Sequence, residues 1–482
     1  MTDARFHADP APSLVLSGTG PAPQRARLDG PRARVTADVM VDDEGWKVEV
    51  PLHVARRGGP DLPLPRGSYT LRLTGGAGAE DEVPDVALSL LGSLRAELRG
   101  GAVIVGPPID PVYDSGEGQA ALERRYATRA GELENAVFFE SFYGRNASCN
   151  PLAIDRELAR QVPGVTRYWS VADLSVVVPD GAVAVVERSP EWWRARGVSR
   201  LLIVNDWLRR RFSRRGGQVV LQTWHGTPLK RLALHRPGFD PRRAAAVVRE
   251  SFRWDILLAQ NPYAARVLRK AYAFLRRPVW VEGYPRNDVL VTGDGAATRE
   301  ALGIAADERV ILYAPTWRDD REEIVDFVDP ASLAADTGSV VLVRGHSRTL
   351  QPGHDLAGPR VIDVTGFPDT SALLLAADAL VTDYSSVMFD FSVTGKPMYF
   401  LVPDMDHYRG TLRGFYFDLA ARAPGPVVRT QQELITAITA EDAAVYAEKY
   451  EAWRRTFNAR DDGHAAERVV HRILDQGLIA RA

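Results

Sequence analysis

The sequence predicts an α/β protein with two consecutive Rossmann-like units, preceded by a smaller β-rich domain. Short runs near the amino terminus, such as ARVTADVMV and WKVEVPLHV, alternate apolar and polar side chains, which is typical of strands with one buried face. Two later series of short apolar runs alternate with amphipathic segments, which is typical of parallel sheets covered by helices. The chain has 482 residues, enough for about three domains.

The β-rich domain is predicted over residues 1–118. The run GSYTLRLTG is typical of a further strand between glycines, whereas PDVALSLLGSLRAEL is ambiguous between helix and strand. The polar, glycine-rich segment YDSGEGQ (113–119) indicates a break between domains. No group of residues before this break suggests catalysis.

The two Rossmann-like units are predicted over residues 119–292 and 293–440, followed by charged amphipathic helices over 441–482. Strand candidates in the first unit are NAVFFESF, VTRYWSV, GAVAVVE, RLLIVND and GQVVLQTW. Those in the second unit are RVILYAPTW, GSVVLVRGH, RVIDVTG, DALVTDYSS and KPMYFLV. Open parallel sheets bind ligands at the carboxyl ends of their strands. We therefore expect the functional residues directly after these runs.

The composition excludes several classes of protein. Lys and Arg (60) nearly balance Asp and Glu (62), so no overall field favours nucleic acid as a partner. Cys149 is the single cysteine, which excludes a disulfide within the chain and a cysteine-rich zinc site. No run approaches the ~18 apolar residues of a spanning helix, and the first residues lack a signal-peptide core. We expect a cytoplasmic protein that meets a membrane only at its surface.

The segment QTWHGTPLKRL places a histidine directly after a predicted strand. His225 can accept a proton near neutral pH, and Gly226 allows a ligand to approach the backbone closely. The alternative is a packed ring that donates to a backbone carbonyl group. Three further strand ends carry polar motifs, and together they favour a functional histidine.

The strand end VRGHSRT concentrates hydrogen-bond donors. Arg344 and Ser347 are suitable phosphate ligands, and His346 can join them as a donor. The alternative is a solvated loop. In YAPTWRDD, Thr316 and Arg318 follow another strand, and Arg318 could clamp a phosphate. The two aspartates there lack partners at metal-ligand spacing, so we predict no metal.

The segment DYSSV leads into an apolar segment of helical type. Asp383 or a serine would cap that helix, and Ser385 and Ser386 would lie beside free backbone N–H groups. This arrangement favours phosphate binding without a glycine-rich loop, and an ordinary cap is the alternative. The Walker A, GxGxxG and GxSxG patterns are absent, which argues against an NTPase, a dehydrogenase or a serine hydrolase.

Three arginine-rich segments mix basic with large apolar residues. They are WLRRRFSRRGG, RRAAAVVRESFRWD and YAARVLRKAYAFLRRPVW. Basic amphipathic segments of this kind suit an anionic membrane surface. A solvated or ion-paired face is the alternative.

These motifs, in this order, resemble the CDP-glycerol glycerophosphotransferases, the teichoic acid primases and polymerases. The matching pieces are FFESFYG, LQTWHGTPLKRL, YAPTWRDD, RGHSRT, LLLAADALVTDYSSVMFDFSVTGKPMYFLVPD, YRGTLRGFYFDL and PGPVV. The resemblance covers roughly residues 130–474, and the first hundred or so residues match no family that we can name.

The resemblance implies a GT-B fold with two facing Rossmann-like domains, the second of which holds CDP, and a final helix that crosses back to the first. The catalytic base falls on His225, and His346 falls near the donor phosphates. The implied substrate-binding residues include Gly226, Thr227, Ser385 and Ser386. The resemblance implies no cofactor and no metal in the transfer step.

The implied partners are CDP-glycerol or another CDP-alditol and a polyprenyl-linked or polymeric glycerol-phosphate acceptor. An acceptor hydroxyl would lose its proton to His225 and attack the β-phosphorus, and CMP would leave. The enzyme would lie on the inner face of the cell membrane, with a homo-oligomer as a further possibility. Alternatives are a CDP-ribitol transferase, a capsule polymerase of the same family, a GT-B glycosyltransferase that uses a nucleotide sugar, and a non-catalytic nucleotide- or glycan-binding protein.

Overall fold

The protein is a mixed α/β molecule in which antiparallel sheets precede two parallel sheets. This confirms the predicted combination of a β-rich segment with parallel α/β architecture. The computed structural model describes residues 2–56, 59–75, 83–127, 132–209, 212–316, 327–345, 358–405, 414–440 and 443–481.

The amino-terminal segment forms two antiparallel sheets around a shared apolar core. Its strands are β1 (Thr2–His7), β2 (Ser13–Gly18), β3 (Arg25–Asp29), β4 (Arg34–Asp38), β5 (Met40–Asp42), β6 (Gly45–Pro51), β7 (His53–Ala55), β8 (Asp61–Pro63), β9 (Gly67–Thr74), β10 (Val86–Leu90), β11 (Arg95–Arg99) and β12 (Ala102–Gly106). The sheet orders are β1-β2-β6-β5 and β10-β11-β12-β9-β3-β4, with β7-β8 as a separate hairpin. Trp46 and Tyr69 are buried in the common core. The ambiguous segment forms β10 and β11 and contains no helix.

The polar segment 113–119 is helical rather than an open connection. It contains parts of α1 (Pro111–Asp114) and α2 (Gly116–Ala127). Asp110 caps α1 by accepting a hydrogen bond from the Val112 amide, and Ser115 Oγ accepts one from the Gly118 amide at 2.9 Å. Polar residues in and just before this segment accept hydrogen bonds from free amides at the starts of two helices, which explains why its composition resembles that of a linker. The domain boundary at residue 118 stays a prediction.

The first parallel sheet has seven strands. They are β13 (Glu134–Glu140), β14 (Thr166–Val171), β15 (Val183–Val186), β16 (Ser199–Val204), β17 (Val219–Gln222), β18 (Ile256–Ala259) and β19 (Val279–Val281), in the order β15-β14-β13-β16-β17-β18-β19. Helices α3 (Cys149–Gln161), α4 (Pro190–Val198), α5 (Pro241–Ser251) and α6 (Pro262–Ala271) accompany it. The strand order reverses between β13 and β16, which is where ligands bind in such sheets.

Among the described residues, the second parallel sheet has six strands. They are β20 (Val310–Ala314), β21 (Val340–Val343), β22 (Val361–Asp363), β23 (Ala379–Thr382), β24 (Met398–Leu401) and β25 (Val427–Val428), in the order β22-β21-β20-β23-β24-β25. The surrounding helices are α7 (Asp288–Thr292), α8 (Ala296–Ala301), α9 (Pro330–Thr337), α10 (Thr370–Ala376), α11 (Val387–Phe391), α12 (Leu419–Arg422) and α13 (Gln431–Thr439). Here the order reverses between β20 and β23.

The last two helices pack on different parallel sheets. Helix α14 (Ala447–Phe457) buries Trp453 and Phe457 in the core of the second sheet. Helix α15 (Ala465–Asp475) buries Val469 and Ile473 in the core of the first sheet. The carboxyl-terminal segment therefore packs against both α/β units.

Candidate active site

The loops that follow β17 and β23 meet between the two parallel sheets. A Cβ atom placed on Gly226, in the first loop, would lie 2.7 Å from Ser386 Oγ in the second. Farther along, the Arg231 amide donates to the Gly414 carbonyl at 3.0 Å, and the Tyr416 amide donates to a carbonyl on the opposite segment. The carboxyl edges of the two sheets thus face each other across one site.

His225 lies at this junction with a defined tautomer. Its Nδ1 atom is 2.6 Å from the carbonyl oxygen of Asn205, which directly follows β16. Because a carbonyl oxygen can only accept, Nδ1 carries the hydrogen, and Nε2 of the neutral ring bears the lone pair. The ring stacks on Trp224 with centroids 4.7 Å apart and is half-buried. His225 thus has a basic nitrogen that can take a proton from a substrate.

The backbone around His225 is strained. Phe142, Tyr143 and Trp224 have φ angles of 45°, 59° and 52°, in the left-handed region that residues with a side chain rarely adopt. The Asn150 amide group donates to the Trp224 carbonyl at 3.1 Å and holds one of these turns. Strain of this kind is concentrated at functional sites, where surrounding contacts maintain it.

A buried ion pair joins the two α/β units beneath the histidine loop. Arg286 Nη2 lies 2.7 Å from Asp390 Oδ2, and the same guanidinium donates to the His225 carbonyl at 3.0 Å and to Cys149 Sγ at 2.9 Å. Burial lowers the pKa of Arg286, but the carboxylate of Asp390 outweighs it and raises that pKa above its ordinary value. Because Asp390 lies in α11, just after Ser386, the pair fixes both loops of the site.

Asp383 connects two strand ends in the second sheet. Its Oδ1 atom accepts from the Thr316 amide at 2.9 Å and from the Tyr384 amide at 2.5 Å. Lys230 Nζ from the first α/β unit lies 3.5 Å from Thr316 Oγ1. Asp383 therefore orders the end of β20, and the cap position of α11 is occupied by another residue.

Ser386 occupies that cap position, and its side chain makes no capping hydrogen bond. Ser385 Oγ lies 3.4 Å from the Val387 amide. Both serines are half-buried. Their hydroxyl groups can therefore serve a ligand in the space between the two sheets.

Two predicted ligands are engaged within the protein. Arg344 donates to the Phe367 carbonyl at 3.0 Å and to Thr370 Oγ1 at 2.9 Å, so it ties down the segment before α10. Thr227 is 1% exposed, and its hydroxyl donates to Gln260 Oε1 at 2.5 Å. Each side chain holds a loop of the site in this structure, and its contact with a substrate stays a prediction. Arg318, His346 and Ser347 lie outside the described residues, and their roles also stay predictions.

Sequence reasoning missed several residues that shape the site. Asn205 ends the strand candidate RLLIVND, so the rule that polar residues follow strands could have found it. Arg286 follows the short strand β19, which was not among the predicted strands. Its contact with Asp390 links positions that are 104 residues apart, and no local pattern indicates such a pair.

Two parallel α/β units face each other across a histidine with an available Nε2 atom and two serine hydroxyl groups, an arrangement typical of α/β enzymes that bind a ligand between two sheets. A family model described as CDP-glycerol:poly(glycerophosphate) glycerophosphotransferase matches residues 125–475. The chain belongs to this family, which confirms the resemblance inferred from its motifs and the predicted enzyme class.

The relatives are enzymes of teichoic acid synthesis. The chain is 35% identical over 373 residues to the teichoic acid poly(glycerol phosphate) polymerase of Bacillus subtilis, covering 72% of this chain and 50% of the relative. It is 35% identical over 383 residues to the teichoic acid glycerol-phosphate transferase of Staphylococcus aureus, covering 71% and 93%. The chain thus spans about half of the first relative and most of the second.

A solved structure of the wall teichoic acid polymerase TagF shares the fold. The TM-score is 0.68 at 31% sequence identity, and the match covers 75% of this chain and 94% of the other. The two sequence relatives are glycerol-phosphate enzymes of teichoic acid synthesis, in agreement with the function predicted from the sequence.

Proposed function

We propose that the chain transfers glycerol phosphate from CDP-glycerol to a hydroxyl group of a lipid-linked or polymeric glycerol-phosphate acceptor and releases CMP. The observation that carries the proposal is His225, whose Nε2 lone pair is available at the junction of the two sheets. The names of the relatives supply the substrate class. The arrangement that we propose is of the GT-B type, with the acceptor on the first unit and the donor on the second.

The reaction is a displacement at phosphorus. His225 Nε2 removes the proton of the acceptor hydroxyl group, and the oxygen forms a bond to the β-phosphorus that carries glycerol. The bond between that phosphorus and the oxygen bridging to CMP breaks, and CMP leaves with the electron pair. Positioning and charge stabilisation supply most of the rate in such transfers.

The donor phosphates lie, in this proposal, against the loops of the second sheet. The hydroxyl groups of Ser385, Ser386 and Thr316 donate to phosphate oxygens. Gly226 leaves room for them beside Ser386. The predicted ligands His346, Ser347, Arg318 and Arg344 complete the charge stabilisation. Thr227 supports the loop of the catalytic histidine from below.

Glycerol is favoured over ribitol as the alditol. The two relatives that are 35% identical and match over more than two thirds of the chain are glycerol-phosphate enzymes. The teichoic acid ribitol-phosphate primase of Bacillus spizizenii is 25% identical over 52% of the chain.

The basic surface near the site suits an anionic membrane. Phe239, which precedes α5, is 89% exposed and lies between Arg236 and Arg242 in the sequence. An exposed aromatic ring among arginines binds the boundary between headgroups and acyl chains of anionic lipid. We propose that this surface holds the enzyme at the inner face of the cell membrane, where a lipid-linked acceptor would be presented. No helix in the described ranges is long and apolar enough to cross a membrane.

CMP release tests the proposal. The purified chain is given CDP-glycerol or CDP-ribitol, each with and without a glycerol-phosphate-primed lipid acceptor. We expect acceptor-dependent CMP from CDP-glycerol and a loss of about 10²- to 10⁴-fold in kcat for His225→Ala, the usual contribution of a general base. His464→Ala is the matched control, because the His464 side chain is 65% exposed and lies near the amino end of α15.

Four results would contradict parts of the proposal. CMP from CDP-ribitol alone would change the donor. A nucleoside diphosphate released from a nucleotide sugar would favour a glycosyltransferase. An unchanged rate in His225→Ala would remove this histidine from catalysis. Ligand binding without turnover by the wild type would favour a non-catalytic binding protein.

A further inference from the structure

A stacked guanidinium group lies at the carboxyl edge of the seven-stranded sheet. Arg209 lies over the ring of Tyr143, with its guanidinium carbon 3.7 Å from the ring centroid. The ring is held in place because the Tyr143 hydroxyl donates to Asp206 Oδ1 at 2.8 Å. Tyr143 follows β13 and Arg209 follows β16, the two strands between which the strand order reverses. The pair therefore lies in the part of the sheet where ligands bind.

A short chain of contacts connects this pair to the catalytic histidine. The Phe142 amide donates to Asn205 Oδ1 at 2.9 Å, and the carbonyl group of the same Asn205 holds His225 Nδ1 at 2.6 Å. The rings of Phe142 and His225 are 5.6 Å apart. Because Tyr143 is the next residue after Phe142, the stacked guanidinium is connected to His225 through residues of the first α/β unit alone.

Within the described part of the chain, the guanidinium of Arg209 has no hydrogen-bond acceptor and no carboxylate within 4.0 Å. The nearby Asp206 carboxylate is occupied by the Tyr143 hydroxyl and by the Trp207 amide at 2.8 Å. Stacking on an aromatic face leaves the edge of a guanidinium free, and that edge matches two oxygens of a phosphate group.

We propose that Arg209, supported by Tyr143, binds the acceptor phosphodiester group closest to the attacking hydroxyl group. This inference rests on the proposed function. In a glycerol-phosphate chain, the terminal hydroxyl group and the nearest phosphodiester belong to the same three-carbon unit. A base that receives the proton and a cation that holds the phosphate must therefore belong to one site, and the contacts through Phe142 and Asn205 connect His225 to the Tyr143–Arg209 pair. The site thus selects an acceptor that already carries a phosphodiester at its end.

Two acceptors with the same terminal diol test this site. One is a short glycerol-phosphate oligomer, and the other is a neutral alkyl glycerol that has no phosphate. We expect Arg209→Ala to lower kcat/KM for the oligomer by about 10- to 100-fold, the effect of losing a hydrogen bond to a charged group. The same substitution leaves kcat/KM for the neutral acceptor unchanged. Arg209→Lys restores part of the loss, because it keeps the charge but not the fork of donors.

Arg200→Ala is the matched control, since the exposed Arg200 lies at the opposite end of β16. An equal loss with both acceptors, or no loss with either, would overturn the proposal. Calorimetric titration of the oligomer into the donor-free protein separates this site from the proposed reaction. Weaker binding of the oligomer by Arg209→Ala than by the wild type supports the site. If the wild type also turns over no CDP-glycerol, only the proposed reaction is overturned. Equal binding by both proteins overturns the site.

Discussion

His225 is oriented by a backbone carbonyl group rather than by a carboxylate. The Asn205 carbonyl fixes the tautomer without placing a full negative charge beside the ring, in contrast to triads in which an aspartate holds the histidine. Arg286 holds the carbonyl group of His225 itself, so the residue is fixed at the ring and at the backbone. The position of the His225 ring therefore depends on contacts from β16, β17 and the loop after β19.

At Gly226, the addition of a single methyl group should already impair the site. The added methyl group of Gly226→Ala would lie 2.7 Å from Ser386 Oγ and 3.1 Å from its Cβ, so the serine must move. We expect kcat/KM for CDP-glycerol to fall by about 10- to 100-fold, the cost of one hydrogen bond to a charged phosphate. Steady-state kinetics with varied donor measures it.

Gly216→Ala provides the comparison for this prediction. A Cβ atom at Gly216 meets no atom within 4 Å, so this variant should keep the wild-type kinetics. Wild-type donor kinetics in Gly226→Ala would show that Ser386 does not contact the donor.

At the scale of elements, three strand ends each contribute one polar residue to the site. The end of β16 supplies Asn205, the end of β17 supplies His225, and the end of β23 supplies Asp383. Parallel strands gather these residues because their carboxyl ends share one edge. Segments of the chain that are distant in sequence therefore form one site.

The segment just before α5 is the part of the first α/β unit that we expect to bind a membrane. Phe239→Ser removes an aromatic side chain that we expect to insert among lipid headgroups, a contribution of about 1.5–3 kcal/mol. Binding to vesicles with anionic lipid should weaken by about 10-fold or more in co-sedimentation. Phe252→Ser is the control, because Phe252 is 68% exposed but lies at the other end of α5. Equal binding by Phe239→Ser and wild type would place the membrane contact elsewhere.

For the whole molecule, Asp461 links the carboxyl-terminal segment to the first α/β unit. It accepts from Gln260 Nε2 at 2.7 Å and from the Tyr284 amide at 3.0 Å, between α14 and α15. Burial raises the pKa of Asp461 to about 7, and the hydrogen bonds it accepts lower that pKa only partly. The folded protein thus holds a proton at this position that the unfolded chain releases near pH 4.

This raised pKa gives stability a defined pH dependence. The native state binds more protons than the unfolded state between about pH 4 and 7. The stabilisation of the folded state by protonated Asp461 is therefore complete below pH 4 and is lost as pH rises through 7. We expect the unfolding free energy of the wild type, measured relative to that of Asp461→Asn, to fall by a few kcal/mol as pH rises over this range. Urea denaturation at several pH values measures it.

The neighbouring carboxylate is the control for this measurement. Partial burial raises the pKa of Asp462, but hydrogen bonds from Arg468 lower it overall, so it titrates below the same window. Asp462→Asn should therefore run parallel to the wild type from pH 5 to 8. A parallel course for Asp461→Asn as well would exclude its protonation in the folded state.

The sequence by itself determined the α/β class, ten of the strands in the two parallel sheets and the family. Runs such as VILYA and VVLV are apolar throughout because strands buried on both faces need no polar side chains. The motif around His225 was recognisable for a related reason. A polar group directly after such a run lies at the carboxyl edge of the sheet, where ligands bind.

Only the tertiary structure decided which of these residues act together. It pairs Arg286 with Asp390, turns Arg344 and Thr227 toward internal partners, and stacks Arg209 on Tyr143. Periodicity in the sequence indicates which face of an element is buried, but it does not indicate which distant segment packs against that face. The Arg286–Asp390 pair forms where the two α/β units meet, whereas the other pairs join loops within one unit. The energies of all these pairs depend on contacts that no local pattern encodes.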